Sequence, residues 1–299
     1  MTPMSDTKHN GPCVVGLGEV LWDMLPAGRQ LGGAPANVAF HAAALGGSGA
    51  VASAIGADDL GAEIRSRLSD AGLDDSALAT DPDSPTGKVT VTLDADGKPS
   101  FTIHTGVAWD GIPFTPELEA LMARADAVCF GSLAQRAGGS RETIRRALSA
   151  TRPECLRICD VNLRQRYYTR KVLAESFALA DILKLNDEEL PVIAELLGLP
   201  GDVDAALATL VERFALRMVI LTCGAAGSVL MTPAETSKLS GEPVAVVDSV
   251  GAGDAFTAAV AIGVLRGESL ATIHARAERV ARYVCTQAGA TPALPADLR

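Results

Sequence analysis

Several short segments of this sequence carry residue types and spacings that can do chemistry. The densest is Val247-Asp-Ser-Val-Gly-Ala-Gly-Asp-Ala-Phe256. Gly251 and Gly253 strip side chains from a turn that leads into a small-residue helix, so successive backbone N–H groups can converge there on an anion. Asp254 falls in the first turn of that helix. A carboxylate complements the helix dipole, but beside a bound phosphate it is also placed to take a proton from an attacking hydroxyl. Spacing alone leaves both readings open.

Other candidates lie upstream. Gly18-Glu-Val-Leu-Trp-Asp23 ends a strand with an acid a few positions on, and Gly32-Gly-Ala-Pro-Ala-Asn37 enters a helix. Asp23 and Asn37 supply an acceptor and an amide of the kind that holds vicinal hydroxyls, and Gly32 with Gly33 permits close backbone approach. The plainer readings are a solvated loop acid for Asp23 and a first-turn polar residue for Asn37. Asp160-Val-Asn-Leu-Arg164 and Asn186-Asp-Glu-Glu189 each follow a strand, and acids there can hold Mg²⁺ through water. Thr222-Cys-Gly224 with Gly227 forms a glycine-bearing turn that suits a hairpin or a nucleotide contact.

Other ligand-binding and catalytic loops are absent. Gly16-Leu-Gly18 has Leu21 where a dinucleotide loop needs its third glycine, and Gly251-Ala-Gly253 has Phe256 there. There is no GxxxxGK[ST] loop, and Ser249 has Val247 in place of the first glycine of GxSxG.

These residues need a scaffold. The chain has 299 residues, 48% hydrophobic and 21% charged, which excludes a disordered protein and allows a large α/β core. The 36 acidic against 26 basic residues give a net charge of −10 with no dense basic run, which argues against nucleic acid as a partner. Six scattered cysteines read as small buried hydrophobes, and the four histidines have no zinc spacing. The polar start lacks a signal-peptide core, and no apolar run reaches the ~20 residues of a membrane span. A cytoplasmic protein with no membrane partner is expected.

Short β-branched runs alternate with helical patterns, the signature of βαβ units. Strands are expected at 14–18, 127–131, 157–161, 182–185, 218–222 and 228–231, with a further strand ending near Asp248. Helices are expected at 36–45, 60–71, 141–150, 171–180, 202–214, 253–265 and 270–286. Val89–Leu93 and Phe101–Ile103 alternate at period two around Asp96-Gly97, which predicts a hairpin off the main sheet, as an edge decoration or a lid.

Taken in order, Gly32-Gly33 with Asn37, Asp160-x-Asn162-x-Arg164, Asn186-x-x-Glu189, Thr222-x-Gly224 and Asp248 through Asp254 resemble the PfkB family of ribokinase-like carbohydrate kinases, from about Gly18 to Pro292. The resemblance implies a doubly wound, mostly parallel α/β fold, a single domain over 1–299, with a small β-sheet lid at about 24–34 and 84–112. It implies phosphoryl transfer from ATP, with Mg²⁺, to a primary alcohol. Asp254 would be the base, and Gly251, Ala252 and Gly253 the anion hole. Asp23, Gly32, Gly33, Asn37 and Arg164 would hold the sugar. Asn186, Thr222, Gly224 and Gly227 would face the nucleotide, together with Gly251 and Gly253. Glu189 would hold Mg²⁺ through water, and Asp248 is a candidate ligand for a monovalent cation such as K⁺. A homodimer through the lid is a further implication. Gly18–Pro26, Gly32–Asn37, Asp160–Tyr168 and Cys285–Pro292 look most like bacterial fructokinases; ribokinases and 2-keto-3-deoxygluconate kinases share the scaffold. Departures are Gly106-Val-Ala-Trp109, in place of a GAD-type lid segment, and Val250, where relatives with a cation site often carry Thr.

Overall fold

The computed structural model describes residues 11–25, 28–93 and 99–299. The chain opens with strands β1 (Cys13–Leu17), β2 (Leu21–Leu25) and β3 (Gly28–Gly32), then helix α1 (Ala34–Ala44). Next come β4 (Ser48–Gly56), α2 (Asp59–Asp70), β5 (Leu78–Asp81), β6 (Lys88–Leu93) and β7 (Pro99–Ile103). The middle of the chain supplies α3 (Pro116–Arg124), β8 (Ala127–Gly131), α4 (Gly138–Ser149), β9 (Leu156–Asp160), α5 (Arg170–Leu179) and β10 (Ile182–Asn186). It ends with α6 (Glu189–Leu197), α7 (Val203–Arg213), β11 (Met218–Thr222), β12 (Gly227–Met231), β13 (Thr236–Ser240), α8 (Ala252–Leu265) and α9 (Leu270–Cys285).

Nine strands form one sheet in the order β13-β12-β11-β10-β9-β8-β1-β4-β5. From β11 to β5 every pairing is parallel, and β12 and β13 add antiparallel at one edge. The central strands are buried on both faces, which is why they read as near-continuous apolar runs. A second sheet, β3-β2-β6-β7, carries the expected hairpin; its turn at Asp96-Gly97 lies outside the described residues.

Asp58, Thr115, Thr169, Asp202 and Ser269 cap α2, α3, α5, α7 and α9 through their side chains, each satisfying a first-turn N–H. Helices α1 and α8 instead begin at Gly33 and Gly251, with no side-chain cap. Alanines and other small residues along α8 let it pack closely on α1, α9 and the sheet.

The structure corrects one expected strand. The run before Asp248 is not in a sheet: Val246 and Val247 are exposed, and Val247 N–H bonds the Cys285 carbonyl at the end of α9. With its N–H groups turned to the end of α9, this valine run makes no strand pairing among the described residues. Helix α8 also begins one residue earlier than expected, at Ala252. Among the described residues no helix is long and apolar enough to cross a membrane, and all six cysteines are free.

Candidate active site

In the large sheet β1 is followed on one side by β4 and flanked on the other by β8, so the chain order reverses between β1 and β8. Open α/β sheets bind ligands in the crevice beyond the carboxyl ends of strands at such a switch point. The singled-out residues lie beyond those ends: Gly18 and Glu19 after β1, Asp160 to Arg164 at β9, Asn186 at β10 and Thr222 to Gly224 at β11.

Asp254 sits in the first turn of α8, and Asn37 Nδ2 donates to its Oδ2 at 2.8 Å. Burial pushes the carboxyl up to about 6, helped by the charge of Asp160, while the Asn37 amide, Lys184 and Arg164 pull the other way. That is a carboxylate poised to accept a proton near neutral pH. Asn37 is thus no ordinary first-turn polar residue: it is buried, and its amide is spent on Asp254.

The turn before Asp254 depends on Gly251. Its φ is +81°, and a Cβ there would lie 2.2 Å from the Ala290 carbonyl oxygen. Ala252 N–H reaches Ser249 O at 3.4 Å and Ala255 N–H reaches Gly251 O at 2.8 Å. Between them, the N–H groups of Gly253 and Asp254 find no acceptor among the described residues. Lys184 lies against the same turn: its ammonium nitrogen would be 3.0 Å from a Cβ on Gly253. Free N–H groups, a helix N-terminus and a buried cation together fit an anion such as phosphate.

Lys184 is the functional candidate that the sequence reading passed over. It pairs in register with Asp160 on the neighbouring strand, Nζ to Oδ1 at 3.1 Å, with both side chains buried. Burial alone would lower the ammonium's pKa, but Asp160, Glu189 and Asp254 outweigh it and hold the charge on. The Thr257 hydroxyl donates to Gly253 O at 2.9 Å and lies 3.3 Å from Asp160 Oδ2, tying α8 to this pair. One signal was available: a lysine inside the apolar strand Ile-Leu-Lys-Leu must find a buried partner.

Asp23 lies on strand β2 of the small sheet and not in a loop. Its Oδ2 would be 2.5 Å from a Cβ on Gly32, so the glycine leaves room for the carboxylate. Burial raises its pKa and the guanidinium of Arg164 opposes that rise. Gly33, at φ +115°, brings its Cα against the Glu19 backbone, where a Cβ would be 2.4 Å from the carbonyl oxygen. Glu19 is a second residue whose importance was not legible. It is 3% exposed, its Oε2 has no partner among the described residues, and burial pushes it up to about 7, with Asp254 and Asp160 adding to the rise. A cavity of about 10 Å³, room for one water, lies among Glu19, Asp160 and Asn162.

Glu189 ties two strand exits together. Its Oε1 accepts from Leu163 N–H at 2.7 Å and its Oε2 from Asn186 N–H at 2.9 Å, while Asn186 Oδ1 accepts from Glu189 N–H at 2.8 Å. Asn186 faces Thr222 in register. Gly224 has φ +51° and open space where a side chain would be, whereas a Cβ on Gly227 would strike Leu239 O at 2.0 Å. Gly227 is therefore required by the β12–β13 pairing. Asp248 accepts from Val250 N–H at 3.0 Å and from Gly289 N–H at 3.1 Å, clasping the turn before α8 to the segment after α9.

Residues 27–297 match the sequence profile of pfkB family carbohydrate kinases. A fructokinase of Klebsiella pneumoniae is 32% identical over 296 residues, covering 93% of this chain and 95% of the relative. Among solved structures, an uncharacterized sugar kinase of Pyrococcus horikoshii superposes with a TM-score of 0.82 at 27% identity, covering 93% of each chain. The fructokinase of Vibrio cholerae O395, in its fructose, ADP and calcium ion bound form, gives 0.81 at 26%, covering 96% of this chain and 97% of that one. The chain belongs to the PfkB family of carbohydrate kinases, phosphotransferases with a ribokinase-like fold.

Proposed function

We propose that this protein transfers the γ-phosphoryl group of ATP to the 6-hydroxyl of fructose. The observation that carries the reading is Asp254, held by Asn37 at the mouth of an α8 turn whose Gly253 and Asp254 N–H groups find no acceptor among the described residues and which Lys184 backs. The fructose assignment is supported by the Klebsiella pneumoniae relative and by the ligands of the Vibrio cholerae structure.

In this reading Asp254 takes the proton of the sugar hydroxyl as its oxygen bonds to the γ-phosphorus and the bond to the ADP oxygen breaks. The Gly251–Gly253 turn and Lys184 receive the charge on the phosphoryl oxygens. Asp23, Gly32, Gly33 and Asn37 hold the sugar, and Arg164 reaches the sugar or the phosphate. Asn186, Thr222 and Gly224 face the nucleotide. Mg²⁺, when bound, supplies charge neutralisation between the phosphates. Among the described residues no three His, Cys, Asp or Glu side chains cluster to cage a metal. Glu189, already engaged by two N–H groups, fits a magnesium ion held through water. Both oxygens of Asp248 are likewise engaged, so K⁺ there would rest on remaining lone pairs and backbone carbonyls. Phe101, exposed on the edge strand β7, suits a homodimer through the small sheet.

In its carboxylate form Asp23 suits hydroxyl donors and repels a substrate carboxylate, which favours a neutral ketose over a sugar acid. ADP release should be measured with fructose, ribose and 2-keto-3-deoxygluconate, with phosphorus NMR to place the product phosphate. Fructose is expected to give the highest kcat/KM, with a 6-phosphate product. A sugar acid equal to or above fructose would overturn the substrate assignment. No turnover of any sugar would overturn the kinase reading in favour of a sensor on the same fold.

A further inference from the structure

Helix α1 carries a second polar residue toward α8, one turn beyond Asn37. His41 is fully buried, and its Nε2 lies 2.9 Å from the Ala290 carbonyl oxygen, 249 residues away. A carbonyl only accepts, so Nε2 must be the protonated nitrogen; Nδ1 has no partner among the described residues. Burial lowers the pKa of the ring and keeps it neutral.

The carbonyl that His41 grips bears directly on the turn before α8. It stands 2.2 Å from where a Cβ on Gly251 would be, so Ala290 O and the Gly251 Cα are in contact. The neighbouring Gly289 N–H is held by Asp248, at the start of that turn. The segment around 289–290 is thus clamped from two directions, by Asp248 ahead of α8 and by His41 on α1. Because Asn37 and His41 are four residues apart, they share one face of α1. One face of one helix therefore orients both the Asp254 carboxylate and the backing of the Gly251 turn.

We propose that His41 is a positioning residue for phosphoryl transfer: its Nε2–H fixes the Ala290 carbonyl, which holds the Gly251 turn in the shape that binds phosphate. This rests on the reading of that turn as the phosphate site. A histidine that merely fills space between helices would affect folding alone. A positioning histidine affects the nucleotide and leaves the sugar alone.

The test begins with the unaltered protein, by long-range proton–nitrogen NMR of the His41 ring at pH 7. A neutral ring protonated at Nε2, with a signal that shifts on adding a non-hydrolysable ATP analogue, is expected. A ring protonated at Nδ1, or one indifferent to the analogue, overturns the inference. His41→Leu removes the donor at similar volume, and His41→Gln keeps an N–H at about the same reach. His41→Leu should weaken binding of the ATP analogue by calorimetry and raise the ATP KM about tenfold, because the buried carbonyl loses its donor. Fructose affinity should stay within about twofold and His41→Gln within about threefold of the parent for the analogue, each well inside that tenfold effect. His41→Leu with unchanged affinity for the analogue, or with equal losses for sugar and nucleotide, sinks the proposal, as does His41→Gln failing as badly as His41→Leu. If His41→Leu does not fold, the ring spectrum and His41→Gln still decide. Failure of the kinase reading looks different: the unaltered protein would then neither bind the analogue nor phosphorylate a sugar.

Discussion

Asn37 and Asp254, 217 residues apart in sequence, are joined by a 2.8 Å hydrogen bond from the Asn37 amide to Asp254 Oδ2. The bond fixes one carboxylate oxygen and leaves the other for a substrate hydroxyl. It also opposes the upward push of burial on the Asp254 pKa.

Replacing Asp254 by Asn should cut kcat by ~10²–10⁴-fold, the usual worth of a positioned base, while ADP affinity stays within a few-fold. Because the carboxyl titrates at about 6 and only its ionised form accepts a proton, kcat/KM should fall as pH drops through that value. Asn37→Leu removes a group that lowers this pKa, so the acid limb should move to higher pH. A pH–rate profile of the parent and both variants reads all three effects; an unshifted limb in Asn37→Leu counts against the role of the amide.

Two neighbouring glycines should differ in cost. Gly251→Ala combines a left-handed φ with a Cβ 2.2 Å from a backbone oxygen. Gly253→Ala meets only the end of the Lys184 side chain, at 3.0 Å. Thermal melts and titrations with a non-hydrolysable ATP analogue should show a large loss for Gly251→Ala and a modest one for Gly253→Ala. Equal losses would mean that contact with Ala290 does not shape the turn.

Lys184→Met leaves Asp160 buried without its counter-ion, and breaking such a pair costs about 3–5 kcal/mol. Urea unfolding should show that loss. Lys184→Met combined with Asp160→Leu should recover much of the stability and none of the activity. If the double variant is as unstable as the single one, the cost lies in packing and not in the stranded charge.

Glu19 makes stability depend on pH. Its carboxyl holds a proton up to about 7 in the folded protein against 4.5 for an ordinary glutamate. Between those values the folded state binds more protons than the unfolded chain, so stability should fall as pH rises from 4.5 through 7. Asp254 adds a loss of the same sign, complete by about 6. Melting temperature measured from pH 5 to 8 should decline, and Glu19→Gln should flatten the decline above pH 6. An unchanged slope would show that Glu19 is not the group responsible.

The central strands were legible because they are buried on both faces and rich in β-branched residues. The nine-residue β4, Ser-Gly-Ala-Val-Ala-Ser-Ala-Ile-Gly, was not, although it is nearly all buried. Its small residues are there for α1: a Cβ on Gly49 would lie 2.2 Å from Ala39 O. Close helix approach thus removed the residues by which a strand is recognised. Strands β2 and β3 were not read from periodicity; the resemblance alone implied a small β-sheet lid at about 24–34, and they belong to that second sheet. At the site, the Gly251–Gly253 turn was readable from glycine spacing, whereas spacing left the role of Asp254 open and only the resemblance assigned it as the base. The Lys184–Asp160 pair was not, because it exists only in the register of two strands 24 residues apart. Glu19 lay unremarked inside the Gly18–Asp23 segment, because an oxygen unpartnered among the described residues is a property of packing.

The position of β1 in the middle of the large sheet has a consequence for synthesis. Its neighbours are β4 on one side and β8 on the other, and the helix that follows, α1, buries Val38 and Ala42 in the cluster that α8 completes. At 5–20 residues per second, the 217 residues between Asn37 and Asp254 take roughly 10–40 s to translate. Through that interval the nascent chain has Asn37 without Asp254 and lacks the Gly251 turn, with the inner face of α1 uncovered. Fragments that stop before α8 should therefore be inert and should depend on chaperones, since the same late helix both completes the chemistry and seals the core.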